Sequence, residues 1–252
     1  MYDKLRAVSA ESVQQLFSRT LEGAYDDREQ WNAVSSLHRL GTRDVLDVAV
    51  QWCQSNDPLR RARGADVLAQ LGKTAEHLSN SFPKESFAAI SRLLETEREI
   101  LPLSSAIFAL GHLDDPSAIP AIYAYHAHPS ADVRYAVAFA LGCFPNEAKA
   151  IEGLIKLTAD VDGEVRDWAT FGVGVLGDAD SVQIRDALVA RLSDVNQDAR
   201  EEALVALAKR CDTRVLPQLF EMLRRSEVSS RVFEAASLML GMAQDEPEMN
   251  RV

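Results

Sequence analysis

The sequence predicts an all-α fold, a solenoid of about seven helix pairs, and three observations carry that expectation. One short helical pattern, clearest as Asp132-Val-Arg-Tyr-Ala-Val-Ala-Phe-Ala-Leu-Gly142, recurs seven times. With Arg134 as position 0, the equivalent residues are Gln30, Arg61, Leu103, Arg134, Arg166, Arg200 and Phe233, spaced by 31, 42, 31, 32, 34 and 33 residues. A near-constant period with one outlier is the mark of stacked repeats with a single insertion. Position 7 is Leu37, Leu68, Leu110, Leu141, Leu207 and Leu240 in six copies and Val173 in the other.

Within the pattern, positions 0, 3, 4 and 7 fall on one helical stripe, which must face the partner helix of its own pair. Positions 6 and 8 flank that stripe and are mostly small, as in Ala109, Ala140, Gly172, Ala206, Gly142, Gly174 and Gly241. Glycine weakens a helix, so its recurrence calls for close packing against the next repeat.

The elements follow in order. Residues 1–29 form an N-terminal capping segment, with an amphipathic helix from Ser9 to Glu22 covering the end of the first repeat. Asp57-Pro58 reads as an N-cap followed by a proline in the first turn, where a missing N–H is harmless. The extra residues of the long interval lie around 73–82, ahead of a helix that starts at Pro83 and runs through Leu93-Leu94-Glu95. Asp115 to Pro120 and Asp212 to Pro217 set a proline near the start of the first helix of a pair. The repeats occupy 30–245 and 246–252 form a polar tail. The last helix, Val232 to Gly241, keeps an apolar flank, so a homodimer through the C-terminal end is one expectation.

These residues resemble HEAT repeats, specifically the short bacterial type also called PBS-lyase HEAT-like repeats. The resemblance implies a single right-handed α-solenoid domain over residues 1–252. It also implies that the Asp/Glu-x-Arg elements, Asp132-Val-Arg134, Glu164-Val-Arg166 and Asp198-Ala-Arg200, form a structural ladder between neighbours. Proteins of this type include interaction scaffolds and subunits that attach bilins.

Composition narrows the chemistry. The chain has 252 residues, is 47% apolar, and carries a formal charge of −11. That field repels phosphate, so a nucleic-acid partner is not expected, and the strongest basic cluster is only Arg60-Arg61-Ala-Arg63. Three cysteines, Cys53, Cys143 and Cys211, are far apart and fit reduced thiols. The N-terminal residues lack the apolar run of a signal peptide and no stretch suits a membrane span, which predicts a cytoplasmic protein. No phosphate-binding loop, nucleophile elbow or His-Glu-x-x-His motif occurs, so neither an enzyme nor a cofactor is expected. His126-Ala-His128 beside a helix end reads as a solvated turn rather than a metal site.

The remaining face of the second helices, at positions 1, 2, 5 and 9, is expected to line a concave surface. Position 5 holds Phe108, Phe139 and Phe171 in consecutive repeats, with Tyr135 and Trp168 nearby. The same positions then turn acidic, at Asp167, Glu201, Glu202 and Glu234. Such a strip suits a protein or peptide partner with apolar and basic residues. The alternatives are rings that only pack from repeat to repeat, a bilin lyase-like or chaperone-like subunit, and, more weakly, a nucleic-acid-binding repeat protein.

Overall fold

The computed structural model describes residues 12–225 and 227–241, which contain fourteen α-helices and no strand. The chain divides into two compact units, residues 1–113 and 114–252.

The N-terminal unit holds three helix pairs: α1 (Val13–Arg19) with α2 (Arg28–Leu40), α3 (Arg43–Trp52) with α4 (Pro58–Ala69), and α5 (Pro83–Thr96) with α6 (Ile100–Leu113). The second helices α2, α4 and α6 pack in sequence as one layer. The capping helix is shorter than expected, because Ser12 and Gln15 close a capping box and residues 1–11 lie outside the described residues. It packs on α2, and Phe17 meets Trp52 of α3 with ring centroids 4.7 Å apart. After it the chain turns at Gly23 and lays Tyr25 against Arg63.

Arg63 is wholly buried. It donates to the carbonyls of Thr20 and Tyr25, pairs with Asp66 at 3.2 Å, and lies 3.9 Å from the Tyr25 ring centroid. The Tyr25 hydroxyl donates to Asp66 at 2.8 Å and meets Ser105 Oγ at 2.9 Å. A buried arginine needs this density of partners, since its charge has left water. Burial pushes the Asp66 carboxyl up to about 6 despite those contacts. The expected insertion is a loop pinned at both ends, by Gly72 N–H donating to His38 O at 2.7 Å and Ser81 N–H donating to Leu71 O at 2.8 Å.

The C-terminal unit holds four pairs: α7 (Ile119–Tyr123) with α8 (Ala131–Gly142), α9 (Ala148–Leu157) with α10 (Gly163–Phe171), α11 (Val182–Arg191) with α12 (Gln197–Lys209), and α13 (Leu216–Leu223) with α14 (Ser230–Leu240). Across the two units all seven position-0 residues lie on second helices, so the repeat register and the number of pairs hold. The helices α8, α10, α12 and α14 pack in sequence as one layer. Their core stripe is closed by Val137, Leu141, Ala169, Val173, Ala203 and Leu207, all buried. Small residues set the spacing: a Cβ on Gly172 would lie 3.3 Å from Gly142 Cα, and one on Gly174 only 2.5 Å from the Ala206 Cβ.

Prolines fall where expected, with one refinement. Asp115 and Asp212 cap short 3-10 turns, Pro116–Ala118 and Thr213–Val215, and Pro120 and Pro217 then occupy the first turns of α7 and α13. The ladder is present, but its acidic rung is not the residue two before each arginine. Arg134 binds Asp160 through two hydrogen bonds of 2.7 and 2.8 Å, and Arg166 binds Asp194 through two of 2.7 Å. In the N-terminal unit Arg61 holds Glu97 in the same way, at 2.6 and 3.1 Å. Each rung carboxylate sits in the turn that starts the next second helix, and Arg61, Arg134, Arg166 and Arg200 each also donate to the carbonyls five and six residues before them. The guanidinium fork therefore ties one repeat's turn to the next.

Residues 172–176 continue α10 as a π-helical turn. Its carbonyls and those just after it are taken up by the next repeat: Arg210 donates to Val173 and Gly174 within the turn and to Gly177 and Ala179 beyond it, and Lys209 to Val175.

Candidate protein-binding face

Four of the five predicted aromatics come together on the layer formed by α8, α10, α12 and α14. Trp168 of α10 is the hub: its ring centroid lies 5.8 Å from Tyr135 and 5.2 Å from Phe139, both on α8, and 5.9 Å from Phe171. The Tyr135 and Phe171 contacts are edge-on and the Phe139 contact is tilted, geometries that suit the ring quadrupoles. All four remain half-buried, so ring packing and surface exposure coexist. Burial first, then the nearby charges of Glu164 and Asp167, raise the Tyr135 hydroxyl above the usual tyrosine value, even though a hydrogen bond with Trp168 opposes the shift. Phe108 is also half-buried but lies on α6 in the N-terminal unit.

The acidic half of the prediction needs correction. Glu201 and Glu202 were expected on the exposed face, yet they are 4% and 3% exposed. Glu201 Oε1 accepts from Gln197 at 2.8 Å and Oε2 from the Ser229 hydroxyl at 2.7 Å. Glu202 pairs with Arg231 at 2.7 Å, and Arg231 also bonds Asp198 at 2.9 Å. These side chains join α12 to the start of α14. The physical reason is the polar N-terminal turn of α14, whose hydroxyl and guanidinium need partners where the helices meet. Asp167 and Glu234 are half-buried.

Asp198 and Glu202 thus pair with Arg231, whose charge also reaches Asp167, and Glu234 lies near Glu202. Burial, reinforced by the charges of Asp167, Asp198 and Glu234, pushes Glu202 up to about 7 against the pull of Arg231. Burial and the charge of Asp198 push Asp167 up to about 6. Asp167 Oδ1 is buried without a hydrogen-bond partner. The sequence pattern singles out Asp167, assigns Asp198 to the ladder and leaves Arg231 unmarked, because the pairing of Asp198 with Arg231 depends on how α12 and α14 meet.

The other candidates take structural roles. Of the basic cluster, Arg63 is buried, Arg61 holds Glu97, and Arg60 stands 5.5 Å from the Trp52 ring centroid. His126 stacks on Tyr123 at 4.6 Å and His128 accepts from the Ser130 N–H at 3.2 Å. Among the described residues no group of three or more potential metal ligands converges, and no helix is long and apolar enough to cross a membrane.

Comparison with known proteins agrees with this architecture. A family model for HEAT repeats matches residues 87–174 and 151–241, more than half of the chain. Protein YibA of Escherichia coli K12 is 28% identical over 220 residues, covering 84% of this chain and 76% of YibA. The X-ray structure of the E. coli YibA protein superposes with a TM-score of 0.73 at 26% identity, over 90% of this chain and 81% of that one. An archaeal HEAT-like repeats protein from Thermococcus onnurineus NA1 shares the fold, with a TM-score of 0.58 at 17% identity over 90% and 95% of the two chains. The chain belongs to the HEAT-repeat family.

Proposed function

We propose that this protein is a non-enzymatic scaffold or adaptor of the cytoplasm that holds a protein or peptide partner on the second-helix face of its C-terminal unit. The carrying observation is the half-exposed cluster of Tyr135, Phe139, Trp168 and Phe171 beside a group of carboxylates. Clustered aromatics of this kind anchor partners, because they bring large apolar area at little conformational cost. The carboxylates favour basic residues in the partner and disfavour nucleic acid. Phe108, half-buried on α6, is a separate candidate contact within the N-terminal unit, and the exposed Leu238 and Leu240 of α14 are where a second copy would associate.

The test is affinity purification of the tagged protein from its own cells with nuclease treatment, comparing wild type with Trp168→Ala plus Phe171→Ala. A stoichiometric protein that survives nuclease and is lost from the folded double variant is the expected result. Identical partner profiles would remove the assignment of this face, and a retained pigment with no protein companion would favour the bilin-handling alternative.

A further inference from the structure

The first helices of the N-terminal unit enclose a groove of a different kind from the aromatic face. Two cavities, of about 310 and 260 Å³, lie end to end between α3 and α5. Arg43 and Glu85, in the first turns of the two helices, border the first cavity, and Gln54 and Thr96, at their far ends, border the second. Val50, Ala89 and Arg92 belong to both, so the groove is continuous. Its floor is apolar, formed by Leu46, Val50 and Leu93, and it stays open where α5 contributes only the methyl groups of Ala88 and Ala89. At the rim, Arg43 pairs with Asp47 at 2.9 Å and with Glu85 at 3.5 Å. The exposed guanidinium of Arg92 makes no hydrogen bond or ion pair among the described residues.

We infer that this groove receives an amphipathic helix of a partner protein, with two apolar side chains one turn apart and an acidic residue on the flank of that stripe. The surface is separate from the aromatic face and does not depend on it. The spacing comes from α3 itself. Leu46 borders the first cavity, Gln54 the second and Val50 both, so the cavities follow one another at the interval of a helical turn, about 5–6 Å. Side chains at i and i+4 of a helix stand about 5–6 Å apart, the same interval. A helix is also the form that fits a channel between two helices, since its ridge of side chains seats in such a groove, and the apolar floor supplies the driving force. The acidic residue is set by Arg92. Its guanidinium borders both cavities, so a carboxylate flanking the seated stripe lies within its reach and can take two hydrogen bonds from its fork. The rim sets Arg43 and Arg92 against Asp47 and Glu85, so local charge balances although the chain carries −11 overall, and Arg92 is the member left to pair.

The experiment uses the full chain and a fluorescein-labelled, alanine-rich helical peptide with leucines at i and i+4 and glutamates on both flanks of that stripe, read by fluorescence anisotropy. Replacing both leucines by alanine is expected to weaken binding about tenfold, and replacing the glutamates by glutamine about fivefold. Ala89→Phe fills the groove from a half-buried surface position and should weaken the parent peptide about tenfold. Arg92→Gln, at an exposed position, should bring the Glu and Gln peptides within about twofold of each other while the leucines still contribute. No binding of the parent peptide, equal binding of the leucine and alanine peptides, unchanged binding by Ala89→Phe, an undiminished glutamate preference in Arg92→Gln, or full affinity in a peptide broken by a central proline would each overturn the inference. Trp168→Ala plus Phe171→Ala should leave this peptide's affinity unchanged, so a failure here leaves the scaffold reading of the aromatic face to its own test.

Discussion

At Asp167 the cost of a buried carboxylate oxygen without a hydrogen-bond partner is measurable in the protein alone. Its folded-state value of about 6 exceeds the ordinary 3.8, so the folded state binds this proton more tightly than the unfolded chain. That contribution is fully present below pH 4 and is lost as pH rises through 6. Discounted for the residue's partial exposure, it amounts to about 1 kcal/mol. Asp167→Asn should therefore raise the denaturation midpoint at pH 7.5 by an amount that vanishes at pH 4, in matched urea titrations. The ladder carboxylates behave with the opposite sign. Burial pulls Asp160 and Asp194 up, but hydrogen bonds from their arginines and from nearby backbone N–H groups outweigh it and hold both below the usual range, so their stabilisation is present above pH 4 and fades as pH falls through their lowered values. Arg166→Ala removes two hydrogen bonds from the buried Asp194, which keeps Arg191 at 2.7 Å, and should cost about 1–2 kcal/mol, read by urea denaturation at neutral pH.

For single elements, glycines that look alike in sequence carry different weight. A Cβ on Gly142 would find its nearest neighbour 3.6 Å away, ordinary contact, whereas on Gly174 it would meet the Ala206 Cβ at 2.5 Å. Gly142→Ala is expected to be neutral or to stabilise by up to about 1 kcal/mol, from helix propensity. Gly174→Ala should destabilise by about 1–3 kcal/mol, because α12 must move. Calorimetry of the two variants checks both signs. The same region depends on Arg210, whose guanidinium satisfies the carbonyls freed by the π-helical turn. Arg210→Ala strands several of them and should cost about 2–4 kcal/mol, with faster amide exchange across 172–180. The repeat pattern predicted plain helix here, and no residue between Phe171 and Leu176 betrays the extra widening; it is legible only once Arg210 is seen reaching back from the next repeat.

On the scale of the whole molecule, stability in a repeat array is a sum of local terms and nearest-neighbour contacts. Gly72 has φ +81°, and a Cβ there would lie 1.8 Å from Ser81 Oγ. Gly72→Ala should thus loosen the N-terminal unit, with hydrogen exchange accelerating within residues 12–113 well beyond any change in 114–241. The sequence by itself determined the helix-pair architecture, the seven-pair register and the aromatic strip, because each is written as a periodicity that one helix face must obey. Tertiary structure alone decided which charges are free. Glu201, Glu202 and Arg63 look like surface residues in the pattern, and become interior ones because another helix or the Thr20–Tyr25 segment arrives to pair with them. Helical phase fixes the direction a side chain takes from its axis, whereas burial depends on what stands opposite, and a residue's own repeat carries no record of that.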